Sequence, residues 1–352
     1  MADWTKSMNQ SFEYYIVDPG TWKEVEKLDN IKSSTINRDI DTETLESASI
    51  DVTETVGECY IRIYLITVQN GVKERHPLGT FLVQTPSSSY DGRIRNVTMD
   101  AYSPLLELKE KKPPIGYYLP KDEIIMNTVY RTVRENVRAP VIQPFDGEII
   151  HKDYVANVDE TYLSYLIDLM SNAKCRFYLD EFSRISFAPI KEIDSLQPVW
   201  IYNDDNSSIL LPDITMDHDL YGIPNVVEVV YTNGNIKYEA TAINDDINSP
   251  TSIVNRGRKI IHRVTNIDLP GIPTENQTKL YAENLLKELS SVEYTVSYTH
   301  GYCPVRLGDC VMLNYEKAGL TNIKAKVISQ SIKCSSGCQV SERAVFTKKL
   351  WR

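Results

Sequence analysis

Phe12 to Val17 is an aromatic and β-branched run that stops at Asp18-Pro19-Gly20, which favours a turn, so the chain opens on a predicted strand. Tyr60 to Val68 is a second such run. It meets Asn70-Gly71, a strong two-residue hairpin signal, before Leu78 to Gln84 returns. Ile94 to Ala101 follows Asp91-Gly92 as another strand. Short strands separated by turn signals predict a sandwich or small barrel for the first hundred residues, not a parallel sheet.

The pattern changes after Lys109-Glu110-Lys111-Lys112-Pro113-Pro114, a charged, proline-ended break that marks a boundary. Asp122 is placed to cap a helix whose Ile125, Val129 and Val133 share one face. Leu163, Leu166, Ile167 and Met170 give a second helix over about Glu160 to Asn172. Arg176 to Leu179 and Arg184 to Ala188 predict a hairpin around Asp180-Glu181-Phe182-Ser183, and this small α+β module ends by Leu211-Pro212-Asp213.

The last third returns to strands. Asn225 to Tyr231 and Ile236 to Ala242 flank Asn233-Gly234, a hairpin signal of the same kind. Thr274-x-x-Gln277 is a capping box, Pro270 and Pro273 block extension upstream, and Ala282, Leu285, Leu286 and Leu289 form the stripe of a helix over about 274–291. Val292, Tyr294, Val296 and Tyr298 then alternate with polar residues, as in a half-buried strand. Val311 to Tyr315, Ile323 to Ile332 and Val340 to Phe346 complete the set, with Gly319 and Gly337 in turns. A short echo links Leu78-Gly79-Thr80-Phe81-Leu82-Val83 with Leu307-Gly308-Asp309-Cys310-Val311-Met312. The expected organisation is an N-terminal β-barrel domain over 1–110, an α+β module over 111–214 and a C-terminal β-barrel domain over 215–352: mainly β, with two barrel-like domains flanking the module.

Composition narrows the class. The 352 residues are 42% hydrophobic and 24% charged, ordinary for a globular chain with large cores. No apolar run is long enough for a membrane span, and the start at Met1-Ala2-Asp3-Trp4 lacks a secretory leader, so production in a bacterial cytoplasm is expected. The net charge of -10 is uneven: residues 1–105 carry 10 basic and 16 acidic side chains, 106–214 carry 12 and 18, and 215–352 carry 16 and 14. An acidic surface repels phosphates, so stable nucleic-acid binding is not expected. The 22 tyrosines suit strands and interfaces.

Candidate chemistry is sparse. No glycine pattern matches a phosphate-cradling loop, no Gly-x-Ser-x-Gly elbow exists, and His76, His151, His218, His262 and His300 are scattered. Cys303, Cys310, Cys334 and Cys338 lack the tight spacing of a zinc knuckle; with Cys59 and Cys175 they read as reduced, metal-free thiols. Asp204-Asp205 and Asp245-Asp246 offer the two carboxylates of glycosidase chemistry but lie in Asn- and Ser-rich loops, where turns explain them. In Asp217-His218-Asp219 the central residue of a strand faces away from its neighbours, against a metal triplet. Arg256-Gly257-Arg258-Lys259 with His262-Arg263 is the one basic cluster; without aromatic stacking partners it reads as a strand edge or a subunit contact. The expected catalytic, cofactor and metal sites are therefore none, and the chain is expected not to be an enzyme.

Five stretches carry a resemblance: Leu78-Gly79-Thr80-Phe81-Leu82-Val83, Ala101-Tyr102-Ser103-Pro104-Leu105-Leu106-Glu107-Leu108, Ile223-Pro224-Asn225-Val226-Val227-Glu228-Val229, Asn248-Ser249-Pro250-Thr251-Ser252-Ile253 and Leu307-Gly308-Asp309-Cys310-Val311. In order and spacing the chain resembles the baseplate hub proteins of contractile phage tails, notably the PBSX-type prophage and clostridial bacteriocin hubs, which are similar to the larger myophage hubs. The resemblance implies two related barrels flanking an α+β module. Three copies would form a pseudo-sixfold ring that joins a sixfold tail tube to a threefold central spike and leaves an axial channel. Its implied partners are two further copies, a tail tube or tube-initiator protein, a spike protein and baseplate wedge proteins. No catalytic residue comes with it, and a chain ending at Arg352 is expected to carry no fused lytic enzyme. A channel that passes DNA or a tape-measure protein is expected to have a neutral or acidic wall, with Arg256, Arg258 and Lys259 turned to neighbouring subunits or the outer face. The alternative is a carbohydrate-binding or receptor-binding tail protein, which would line one groove with exposed aromatics; a third class, a cryptic glycosidase, would show turnover on a glycan panel.

Overall fold

The computed structural model describes residues 2–90, 92, 95–144, 147–233, 236–265 and 274–349. It is mainly β, with 47% of residues in strands and 16% in helices, so the class expected from the hydrophobic pattern holds. The chain divides into two compact units. One comprises Met1–Ile214 with Tyr298–Arg343, the other Thr215–Ser297 with Ala344–Arg352. Residues 298–343, which the sequence places in the last third, thus belong with residues 1–214.

In the first unit, seven strands open the chain: β1 (Asn9–Asp18), β2 (Lys23–Leu28), β3 (Ile31–Asp39), β4 (Glu46–Val52), β5 (Tyr60–Gln69), β6 (Val72–Tyr90) and β7 (Arg95–Tyr102). They pair antiparallel in the order β3-β4-β7-β6-β5-β1-β2. The β5–β6 turn is the expected one: Asn70 and Gly71 have φ of 51° and 78°, the left-handed pair that follows strand twist. Tyr14, Ile36, Ile50, Ile61, Ile63, Leu65, Phe81 and Met99 fill the core of this sheet. The Ile94 start expected for β7, the Asn233-Gly234 turn and the Pro270 and Pro273 stops lie outside the described residues.

Of these seven, β2, β3 and β4 have no counterpart in the sequence reading. Their alternation is real but polar on the inside: β3 buries Ser34, Ile36 and Arg38, and β4 buries Glu46, Ala48, Ile50 and Val52. The free side of β3 pairs antiparallel with the distant strand Leu320–Cys334, Ser34 opposite Cys334 and Asp39 opposite Ser329. Strand Cys310–Tyr315 pairs with Leu320–Cys334 on one side and, in parallel, with Trp200–Asn203 on the other.

The α+β module packs helices Leu106–Glu110, Ile125–Asn136 and Tyr162–Asn172 with the hairpin Cys175–Leu179 and Ile185–Pro189 around Leu105, Met126, Val129, Val133, Leu163, Leu166, Met170 and Phe177. Thr161 and Ser164 close a capping box at the third helix. Asp122 does not cap the second. It has φ of 68° and its N–H donates to Ile150 O, while Ile124 occupies the cap position without a side-chain bond.

In the second unit, strand Val226–Asn233 lies between Ile236–Ile243, antiparallel, and Ile261–Thr265, parallel. Helix Glu275–Leu289 covers one face through Val227, Val229, Ala242, Ala282 and Leu286, and its Thr274–Gln277 capping box forms as expected. Thr215–His218 pairs antiparallel with Tyr294–Ser297.

Candidate functional site

The densest constellation of ionisable groups lies inside the first unit, where the sequence reading has no site. Arg38 is 1% exposed; its Nη1 donates to Gln330 Oε1, its Nη2 to Leu78 O, and its Nε lies 3.1 Å from Glu46 Oε1. The same Glu46 oxygen accepts from Arg306 Nη2 at 2.9 Å, and that nitrogen also reaches the carbonyls of Leu179 and Asp180. Gln330 Nε2 donates to Glu342 Oε2 at 2.7 Å and to Val305 O. Glu342 in turn accepts from the Tyr298 hydroxyl and sits 3.4 Å from His300 Nε2, which lies 3.2 Å from the Tyr202 hydroxyl; that hydroxyl is 3.3 Å from Cys303 Sγ. One connected set of polar groups thus runs through strands that are otherwise apolar.

Burial decides the electrostatics. Desolvation alone would hold His300 neutral, but its contacts with Cys303 and the Glu342 carboxylate outweigh that and push its pKa up to about 10. Burial, then the Glu342 charge, raises the Tyr298 and Tyr202 phenols well above their ordinary range. Histidine, cysteine, tyrosine and carboxylate are the side chains of acid–base and nucleophilic catalysis. Here the His300 and Glu342 side chains are both 0% exposed, so no substrate reaches them, and the arrangement acts as an internal lock.

A second lock joins the hairpin tip to the strands. Thr80 N donates to Ser183 Oγ at 2.8 Å, Thr80 Oγ1 and Trp22 Nε1 donate to Phe182 O, and Arg62 lies over the Trp22 and Phe182 rings. The two echoing segments meet this one hairpin. Gly79-Thr80 touches its tip, and at Gly308, with φ of 86°, a Cβ would stand 2.2 Å from Arg176 Nη2. The positive φ favours glycine there, and a larger residue would also have to push the Arg176 guanidinium aside.

In the second unit, two of the resemblance motifs fold against each other. Asn225 Oδ1 accepts from Ile260 N and its Nδ2 donates to Arg258 O; Asn244 N donates to Asn225 O. Asn244 Nδ2 donates to Ser249 Oγ at 2.9 Å, Ser249 meets Thr251, and Ser252 caps the turn at Asn255 N. All five of Asn225, Asn244, Ser249, Thr251 and Ser252 are buried.

The sequence candidates take bland places. Asp205 accepts from Ser207 N and Oγ, Asp246 from Asn248 N and Asp219 from Tyr221 N, as turn chemistry predicts, while Asp204 faces Lys317 at 3.8 Å and Asp245 is exposed. His218 stacks on Tyr294, His76 meets Thr67, and His151 and His262 are exposed. All six cysteines are free thiols, Cys59 half-buried and the others buried, and burial raises Cys334 to about 11. Arg256 is spent on the carbonyls of Ile223 and Leu220, and Arg263 pairs with Glu228 at 2.7 Å; Arg258 and Lys259 are exposed. Among the described residues, no group of three or more His, Cys, Asp or Glu is placed to hold a metal ion, and no helix is long and apolar enough to cross a membrane. An open groove of about 630 Å³ in the α+β module is lined by Glu148, His151, Lys152, Tyr154 and Asp168 among others.

No protein-family model matches the chain, and no curated protein sequence matches it. Solved structures do. The tail protein from Neisseria meningitidis MC58 superposes with a TM-score of 0.63 at 9% identity, covering 97% of this chain and 98% of that one. The 43 kDa tail protein of prophage MuSo2 from Shewanella oneidensis gives 0.62 at 12%, covering 95% and 98%. The prophage tail protein gp18 from Listeria monocytogenes EGD-e gives 0.52 at 11%, covering 96% and 95%. At such identities the likeness is one of fold, and end to end that fold is shared with phage and prophage tail proteins.

Proposed function

We propose that the chain is a structural, non-enzymatic component of a phage tail or related injection particle, and that its place is the baseplate hub. The observation that carries this is the fold shared over at least 95% of both chains with three tail proteins. The finer reading follows the resemblance to PBSX-type prophage and clostridial bacteriocin hubs. Strand-rich regions, one opening the chain and one in its last third, flank the α+β module. Three copies make a pseudo-sixfold ring between tail tube and central spike, with wedge proteins outside and an axial channel of neutral or acidic wall. A closed ring is a standard outcome for a self-associating surface. The buried locks suit a part that must carry load without rearranging.

Copy number in purified particles tests it. Three copies on the tail axis, in an electron-microscopy reconstruction or by quantitative mass spectrometry, are expected; one or six would overturn the hub reading. Channel-facing lysines and arginines that outnumber aspartates and glutamates would remove the acidic wall.

One observation favours a second reading, a glycan or receptor contact: the open groove that places Tyr154 beside Glu148, His151 and Asp168. Polar side chains around an aromatic ring suit a sugar. Binding on a glycan array that is lost in Tyr154→Ala would support it; an empty array would dismiss it.

A further inference from the structure

Two atoms of the first unit's charged lock, Glu46 Oε2 and Arg306 Nε, are buried and have no hydrogen-bond partner among the described residues. Glu46 and Arg306 line one small cavity, whose other walls are Ile40, Leu45, Leu307 and residues 176–179. Glu46 is 3% exposed, and its Oε1 lies 3.1 Å from Arg38 Nε and 2.9 Å from Arg306 Nη2, so both guanidiniums share that one oxygen. Arg306 Nη2 is shared in turn among Glu46 and the carbonyls of Leu179 and Asp180. Arg38 Nε also lacks a well-aimed bond, but it is the ion-pair partner of Oε1 and lies off the cavity wall. What remains at the cavity is one acceptor and one donor. Each is charged, and a charged group withdrawn from solvent with its bonding unfinished is the costliest member of a buried network.

The chemistry of the wall selects what completes it. About 10 Å³ is open to a water-sized sphere, which is room for one water molecule and for nothing larger. A metal cation would meet Arg306 and Arg176 on the wall, with Arg38 already against the same carboxylate. A halide could accept from Arg306 Nε, but it has no proton to give Glu46 Oε2 and would face the carboxylate charge. A small neutral molecule that donates and accepts at once satisfies both atoms without adding charge. We infer that a single water molecule is bound in this cavity as a constituent of the fold, accepting a hydrogen bond from Arg306 Nε and donating one to Glu46 Oε2.

The site stands where remote segments converge. Glu46 begins β4, Arg306 precedes the strand Cys310–Tyr315, and residues 176–179 belong to the module's hairpin. Glu46 and Arg306 are 260 positions apart, and Arg306 and Leu179 are 127 apart. Ile40, Leu45, Phe177 and Leu307 give the rest of the wall an apolar character, so few groups compete with the two charged ones for the water. A bridging water of this kind holds its partners nearly as well as a direct bond. The site belongs to one chain and does not depend on the hub reading.

The test uses crystals of the full chain grown in sodium chloride, in sodium bromide and in rubidium chloride, at a resolution where ordered waters are placed. The expected result is one peak of a water's height within about 2.5–3.2 Å of both Glu46 Oε2 and Arg306 Nε. It should be the same in all three salts and give no anomalous signal at the bromine or rubidium edge. A bromine signal in the cavity would make it an anion site, and a rubidium signal a cation site; either overturns the water. So would no peak at all, a peak bonded to only one of the two atoms, or Glu46 and Arg306 side chains turned to bond each other through Oε2 and Nε directly.

Discussion

Each unit buries a polar network, and the two differ in kind. The first unit's is charged: Arg38, Glu46, Arg306, Glu342 and His300, brought together from strands far apart in the chain. The second unit's is neutral: amides and hydroxyls of Asn225, Asn244, Ser249, Thr251 and Ser252, most within one short excursion. Buried charges are costly to desolvate and tolerate no missing partner, so a charged network enforces one arrangement at the risk of large penalties. A neutral network risks less per bond and is indifferent to pH. The first device suits a frame that joins remote segments, the second a local surface feature.

The sharpest way to break the comparison is Glu46→Leu, which leaves two buried guanidiniums facing each other. It should destabilise by about 3–5 kcal/mol in urea unfolding. Adding Arg38→Met should recover part of the loss, and a double mutant no better than the single would mean that the charges are not coupled. Next is pH. His300 has its pKa raised from 6.5 to about 10, so its contribution is complete below pH 6.5 and is lost as pH rises towards 10. Melting temperature should fall over that window and lose this slope in His300→Gln, while Asn244→Ala leaves the slope intact. Asn244→Ala itself should cost about 1–3 kcal/mol and speed amide exchange mainly over residues 244–260. Gly308→Ala should cost about 1–3 kcal/mol, because a side chain there must adopt a positive φ and displace Arg176. Smallest is Lys237→Ala, which removes a pair with Glu239 that is 61% exposed on both sides; a change within about 0.5 kcal/mol is expected.

How much the sequence revealed follows the same division. Strands with apolar interiors and signalled turns were legible, as at Tyr60–Gln69 and Asn70-Gly71, and so was the Thr274–Gln277 box. Strands β3 and β4 were not, because their inward positions include Ser34, Arg38 and Glu46, which read as surface. The Asn248-Ser249-Pro250-Thr251-Ser252-Ile253 motif was visible only through the resemblance, and its buried hydrogen bonds were not read from it. The charged lock was not visible, since no local pattern pairs Arg38 with Gln330. One signal was available for part of it: extending the alternation of Val292, Val296 and Tyr298 by one step puts His300 on the buried face, and Val340 does the same for Glu342.

That separation has a consequence for the order in which the protein is made. Arg38 and Gln330 are 292 residues apart, so at ~5–20 residues per second roughly 15–60 s pass on the ribosome between the synthesis of β3 and that of the strand that pairs its open edge. Sheet and helix over 226–289 are local and can form in the interval. Through all of it β3 presents an unpaired edge, with the Arg38 guanidinium still short of Gln330. A nascent chain in that state is a template for strand pairing with its neighbours. Chaperone capacity during translation, more than the stability of the finished fold, is therefore expected to set the yield of assembled protein.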